Sequence, residues 1–62
     1  MPLYEVVLLW DDDDETRLTD RELTIGETLE IGAERWIVER EEPAERREVA
    51  MRFVCVRAKG TE

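Results

Sequence analysis

Five apolar residues, Val6-Val-Leu-Leu-Trp10, run directly into five acids, Asp11-Asp-Asp-Asp-Glu15. Read at period two, Tyr4, Val6, Leu8 and Trp10 fall on one face, and Val7 and Leu9 make the opposite face apolar too. A strand apolar on both sides belongs in the middle of a sheet or passes through a closed barrel. Four adjacent aspartates repel one another and have low strand propensity, so the strand has to end and a solvated loop has to begin. The pattern predicts an acidic loop over residues 11–21, with Leu18 as its one apolar anchor.

Beyond that loop the alternation returns. In Glu22–Ile31, Leu23 and Ile25 share a face, Gly26 interrupts, and Leu29 and Ile31 resume. A glycine inside a strand pattern marks a bulge or a sharp bend. Gly32-Ala33 supplies a tight turn into a partner strand, Ala33 to Arg40, with Trp36 and Val38 inward and Ile37 outward. Residues 41–49 form a second charged loop, where Pro43 cannot donate to a central ladder but suits the first position of a short helical turn. A last strand, Ala50 to Ala58, puts Phe53 and Cys55 on one face and Val54 and Val56 on the other, and residues 59–62 form a tail. The expectation is one all-β domain over residues 1–62, a small barrel of four or five antiparallel strands, with residues 43–49 either a short helical turn or a mobile hairpin loop.

Sixty-two residues leave room for one small core, and the single cysteine, Cys55, cannot form an intrachain disulfide. Flanked by Val54 and Val56 in a strand, Cys55 reads as a small buried apolar residue rather than a nucleophile, which would need a basic neighbour or a helix N-terminus. No positively charged leader precedes an apolar run, and Val6–Trp10 is far shorter than the ~20 residues of a spanning helix. The expected location is cytoplasmic.

The chain contains no His, Ser, Asn or Gln. The usual general base, hydroxyl nucleophile, oxyanion-binding amide and transition-metal ligand are therefore all missing. No enzyme activity and no cofactor are expected. The run Asp11–Glu15 does not make a specific calcium site, because adjacent aspartates point alternately to opposite sides and cannot all face one ion; Asp11, Asp13 and Glu15 could do so only loosely, as weak surface binding. A solvated acidic surface is the plainer account, and no metal site is assigned.

The stretch Leu23-Thr-Ile-Gly26-Glu-Thr-Leu29-Glu-Ile31-Gly32-Ala-Glu-Arg-Trp36-Ile-Val38 resembles the middle of small SH3-like barrels. There a strand enters through an apolar-Gly-acid step, turns at a second glycine and returns as an aromatic-x-Val strand. The chain is also similar to short uncharacterised proteins of high-GC bacteria. The resemblance implies a barrel fold and a binding function; it does not extend to the tyrosine-lined first loop of peptide-binding SH3 domains, since the first loop here is acidic.

Charge is distributed unevenly. Residues 1–31 carry ten acids and two arginines, a net of −8, whereas residues 32–62 carry seven acids and seven bases, a net of zero. Such a surface repels nucleic acid, whose phosphates demand Lys and Arg, and steers the protein toward a basic partner. Arg40, Arg46, Arg47, Arg52 and Arg57 are interleaved with glutamates and read as ion-pair networks rather than a phosphate-binding face. The sequence points to a non-catalytic module that binds another protein, with neither nucleic acid nor membrane as partner and with a homodimer through sheet edges compatible. Candidate contact residues are Trp10, Asp11, Asp12, Asp13, Asp14, Glu15 and Leu18. The alternative is an acidic DNA mimic that inhibits a nucleic-acid-binding protein.

Overall fold

The computed structural model describes residues 2–58; the tail expected at 59–62 lies outside them. Five strands form one curled sheet: β1 (Leu3–Leu9), β2 (Asp14–Thr19), β3 (Thr28–Ile31), β4 (Glu34–Glu42) and β5 (Val49–Arg57). Their order across the sheet is β2-β1-β5-β4-β3, and the sheet curls into a half-barrel compatible with an SH3-like barrel. The fold is all-β, as its alternating segments imply. No helix of the described residues is long and apolar enough to cross a membrane.

Strand β1, apolar on both faces, lies between β2 and β5, and β5 lies between β1 and β4. The concave face holds Val6, Leu8, Trp36, Val38, Phe53 and Cys55, all buried, with Leu23 added from a loop. Tyr4 packs on Phe53 with ring centroids 5.8 Å apart. On the convex face the register sets Val7 beside Val54, each only 2% exposed. Arg40 stands opposite Val54 on the other side, where an arginine stem can cover apolar surface while its head stays in water. Glu5 is buried on the same face, 3.8 Å from Arg46 and 4.0 Å from Arg52.

The pairing is not wholly antiparallel: β1 and β5 run parallel, from Leu3 beside Val49 to Leu9 beside Val56. When each successive strand reverses direction, the first and fifth point the same way, so an odd-numbered meander that joins its ends must join them in parallel. The sheet is instead left open between β2 and β3.

Two local expectations are corrected, and one open alternative is decided. Residues 11–21 are not one loop, because Asp14–Thr19 is an edge strand paired with β1 from Leu9 beside Asp14 to Tyr4 beside Thr19. The loop shrinks to the turn Trp10–Asp13, closed by the Trp10 amide donating to the Asp13 carbonyl at 2.8 Å, and to Asp20 and Arg21 beyond β2. The ladder outweighs the weak strand propensity of its acids, which an edge tolerates because one side faces water. Secondly, Leu23 and Ile25 do not share a face: Leu23 is 4% exposed and Ile25 55%. The Glu27 amide donates to the Thr24 carbonyl at 2.9 Å, and Gly26 has φ +91°, making a tight turn that breaks the alternation. Of the two forms open to the second charged segment, the structure has the loop: residues 43–48 are bends and turns between β4, which takes in Glu41 and Glu42, and β5, which begins at Val49. Six residues are too few to offset the cost of helix nucleation, and the Arg46 side chain is held by Glu48 at 2.7 Å instead.

The hairpin at Gly32-Ala33 forms where expected. Both residues have positive φ, +62° and +67°, the left-handed pair of a two-residue hairpin turn. From the other end of β3, residues 20–27 cross the concave face and plug it with Leu23. The Gly26 amide donates to Val38 O at 2.8 Å, and the Val38 amide donates to Glu27 O at 2.9 Å, tying this crossing to β4. The crossing is braced again by the Thr24 amide on Glu27 Oε1 at 3.0 Å and by Arg21 on Glu27 at 2.8 Å. Those two donors, the Thr24 amide first, hold the Glu27 carboxyl below the usual carboxylate range.

Candidate interaction surface at the first hairpin

The β1–β2 hairpin carries every residue singled out as a candidate contact, but it does not bring them all to one surface. Antiparallel pairing places Glu15 opposite Leu8 and so on the concave face with Trp10. Leu18 lies opposite Glu5 and therefore on the convex face, where it is 50% exposed. Trp10 and Leu18 thus occupy opposite sides of the hairpin and form no common patch.

Trp10 is largely committed to the fold. Its ring meets Trp36 edge-on with centroids 4.9 Å apart, and Arg57 lies over it with the guanidinium carbon 5.5 Å from the centroid. Its indole nitrogen donates to Glu15 Oε1 at 3.2 Å, and Glu15 in turn takes Arg17 at 3.0 Å. Trp36, wholly buried, donates its indole N–H to the Ile31 carbonyl at 3.4 Å. The two tryptophans close the end of the core at which the first hairpin turns.

The acidic turn is the exposed part. Asp11, Asp12, Asp13 and Asp14 all face solvent. Arg57 reaches Asp11 at 3.6 Å and Glu34 at 3.8 Å. Asp12, Asp13 and Asp14 make no ion pair among the described residues. Arg57 pairs with acids, as its sequence setting implies, but its pairing with Asp11 is not legible in the sequence: 46 positions separate the two, and only the parallel β1–β5 pairing brings them together. Its exposed pairs are worth little in stability, but they offset part of the charge at one side of the turn.

Among the described residues no group of three or more acidic or cysteine side chains is placed to hold a metal ion. Cys55 is wholly buried, and its thiol is pushed up to about 11, first by loss of hydration and then by the negative charge of Glu27. A thiol held neutral in this way is a packing group. What the hairpin offers is a cluster of solvated carboxylates at its tip, next to an edge strand with no neighbour on its outer side. Comparison with protein-family models, curated proteins and solved structures finds no match.

Proposed function

We propose that this domain is a cytoplasmic, non-catalytic protein-interaction module that takes a basic partner on its acidic side, at the β1–β2 hairpin. The observation that carries the reading is the exposure of Asp12, Asp13 and Asp14 at the tip of a well-formed hairpin, with no cation paired to them among the described residues. Crowded like charges work against the compact state, and here they sit on a turn whose backbone is already closed by the Trp10–Asp13 hydrogen bond. They contribute attraction to positive partners, acting over about 8 Å at physiological ionic strength.

The test is a tagged pull-down from lysate of the source organism at low and high salt, run in parallel with a variant carrying Asp12→Asn, Asp13→Asn and Asp14→Asn. The reading expects a basic protein that is retained by the parent chain and lost from the variant. Equal retention by both would overturn it. The same experiment addresses DNA mimicry, which the one-sided charge favours as a second reading: the captured protein would then bind nucleic acid, and added duplex DNA would release it.

A further inference from the structure

We infer that the open seam between β2 and β3 is a docking groove for an extended basic peptide, which adds as a strand to the outer edge of β3. The inference rests on the interaction-module reading and names a site and a partner class for it.

The seam is where the half-barrel fails to close. Strands β1, β5 and β4 each have a neighbour on both sides, whereas β2 and β3 end the sheet. Between these ends lies a cleft of about 330 Å³, within the range that binding clefts occupy. Its apolar floor is Val6, Leu23, Leu29 and Ile31, and its other wall is the end of β2 with the start of the crossing loop. Leu29 and Ile31 are only partly buried, so the core itself surfaces along this groove.

The β3 edge is prepared for pairing. In an antiparallel ladder closed by a two-residue turn, the residues flanking the turn exchange hydrogen bonds and the next pair does not. Ile31 and Leu29 therefore direct their amides and carbonyls to β4, while Glu30 and Thr28 direct theirs outward. No backbone or side-chain partner for those outward groups occurs among the described residues. An extended segment can take them up in the manner of strand addition. Alternate side chains of that segment would fall toward the Leu29–Ile31 side and the remainder toward the Thr28–Glu30 side.

Charge selects the occupant. Glu30 projects from β3 with its side chain 75% exposed and only a 3.5 Å contact to Arg35. Asp20 and Glu22, in the crossing loop, have no ion-pair partner among the described residues, and Arg21 is already taken by Glu27. A segment alternating apolar and basic residues matches both demands, filling the floor and meeting the rim. An acidic segment or a second copy of β2 would bring carboxylates against Glu30.

The probe is a six-residue peptide alternating lysine and valine, capped at both ends and titrated into the full chain while backbone amides are followed by NMR. The expected result is saturable binding with the largest shifts at Thr28 and Glu30, and slowed amide exchange at both. Two further peptides carry N-methyl groups on either the valine or the lysine nitrogens. Strand addition requires that at least one set weakens binding tenfold or more, whereas attraction by charge alone is indifferent to both. Glu30→Lys, on an exposed side chain that the fold does not need, is expected to weaken binding severalfold. No binding, or binding unaffected by either methylation, overturns the groove. Shifts confined to Asp11–Asp14 overturn the groove while leaving the hairpin reading standing. Loss of the hairpin reading shows instead in the aspartate variant, which leaves the β3 edge intact.

Discussion

The β4–β5 ladder and the β1–β2 hairpin are both antiparallel pairs in one sheet, yet opposite means hold them. Strands β4 and β5 supply Trp36, Val38, Phe53 and Cys55 to the core, each no more than 1% exposed. Strand β2 supplies no buried residue at all; its side chains are acids, threonines, one arginine and an exposed leucine. The first pair is fixed by what its side chains bury, and the second by backbone pairing to a partner that the core already holds. The difference separates stability from availability: the buried side chains of β4 and β5 can be changed only at the expense of folding, whereas the side chains of β2 and its turn are open to solvent.

The two tryptophans give that comparison its largest test. Trp36→Ala removes a fully buried indole and is expected to cost about 3–5 kcal/mol. A domain of this length has a total stability of roughly 3–9 kcal/mol, so the variant should lose a third or more of it. Trp10→Ala takes away a half-buried ring together with its contact to Arg57 and should cost about half as much. Urea denaturation followed by circular dichroism measures both. Equal losses would break the comparison, because the first hairpin would then be as much a part of the core as β4.

The same contrast explains what the sequence disclosed. Trp36, Val38, Phe53, Cys55 and the two-sided run of β1 could be placed because burial leaves a period-two signature. Strand β2 could not, because an edge strand with one partner and no buried face has no such signature. Only the modest β propensity of Thr16 and Thr19 and the Thr16–Leu18 spacing hinted at it. The outward rotation of Ile25 was hidden for a related reason: it depends on a turn whose geometry is set by hydrogen bonds to Val38, distant in sequence. The Arg57–Trp10 contact and the open seam both follow from strand order, and local pattern carries no information about order. Of the candidate contact residues, Asp11–Asp14 lie at the surface as expected, while Trp10 is drawn into the core by Trp36.

A second test concerns the buried end of the comparison and is read in pH. Burial raises the Cys55 thiol from the ordinary value near 9.0 to about 11. Between those values the folded chain keeps its proton while the unfolded chain has lost it, so unfolding releases a proton. Stability is therefore fully present below pH 9 and falls as pH rises toward 11, by about 1 kcal/mol per unit. The measurement is the stability difference between the parent chain and Cys55→Val, which cancels every other titration. A difference that declines across pH 9–11 sharpens the assignment of Cys55 to the core. A flat difference would mean that water reaches the sulfur, and that the centre of β5 is looser than its side chains imply.

The smallest effect is expected at the other end, where Asp12→Asn and Asp13→Asn together should change stability by no more than about 0.5 kcal/mol. Its sign is informative. Both side chains are exposed and have no ion pair among the described residues, so removing their charge relieves repulsion from Asp11 and Asp14 and should stabilise the fold slightly. The gain should be visible at low ionic strength, where charges act over about 30 Å, and should vanish near physiological salt. A stabilisation that salt abolishes means that the carboxylates oppose folding and are carried for their effect on something outside the chain. A loss above about 1 kcal/mol, insensitive to salt, would mean that the aspartates hold the turn through hydrogen bonds. The hairpin tip would then be a structural element like the β4–β5 ladder, and the distinction between a core that folds and an edge left available would no longer run along β2.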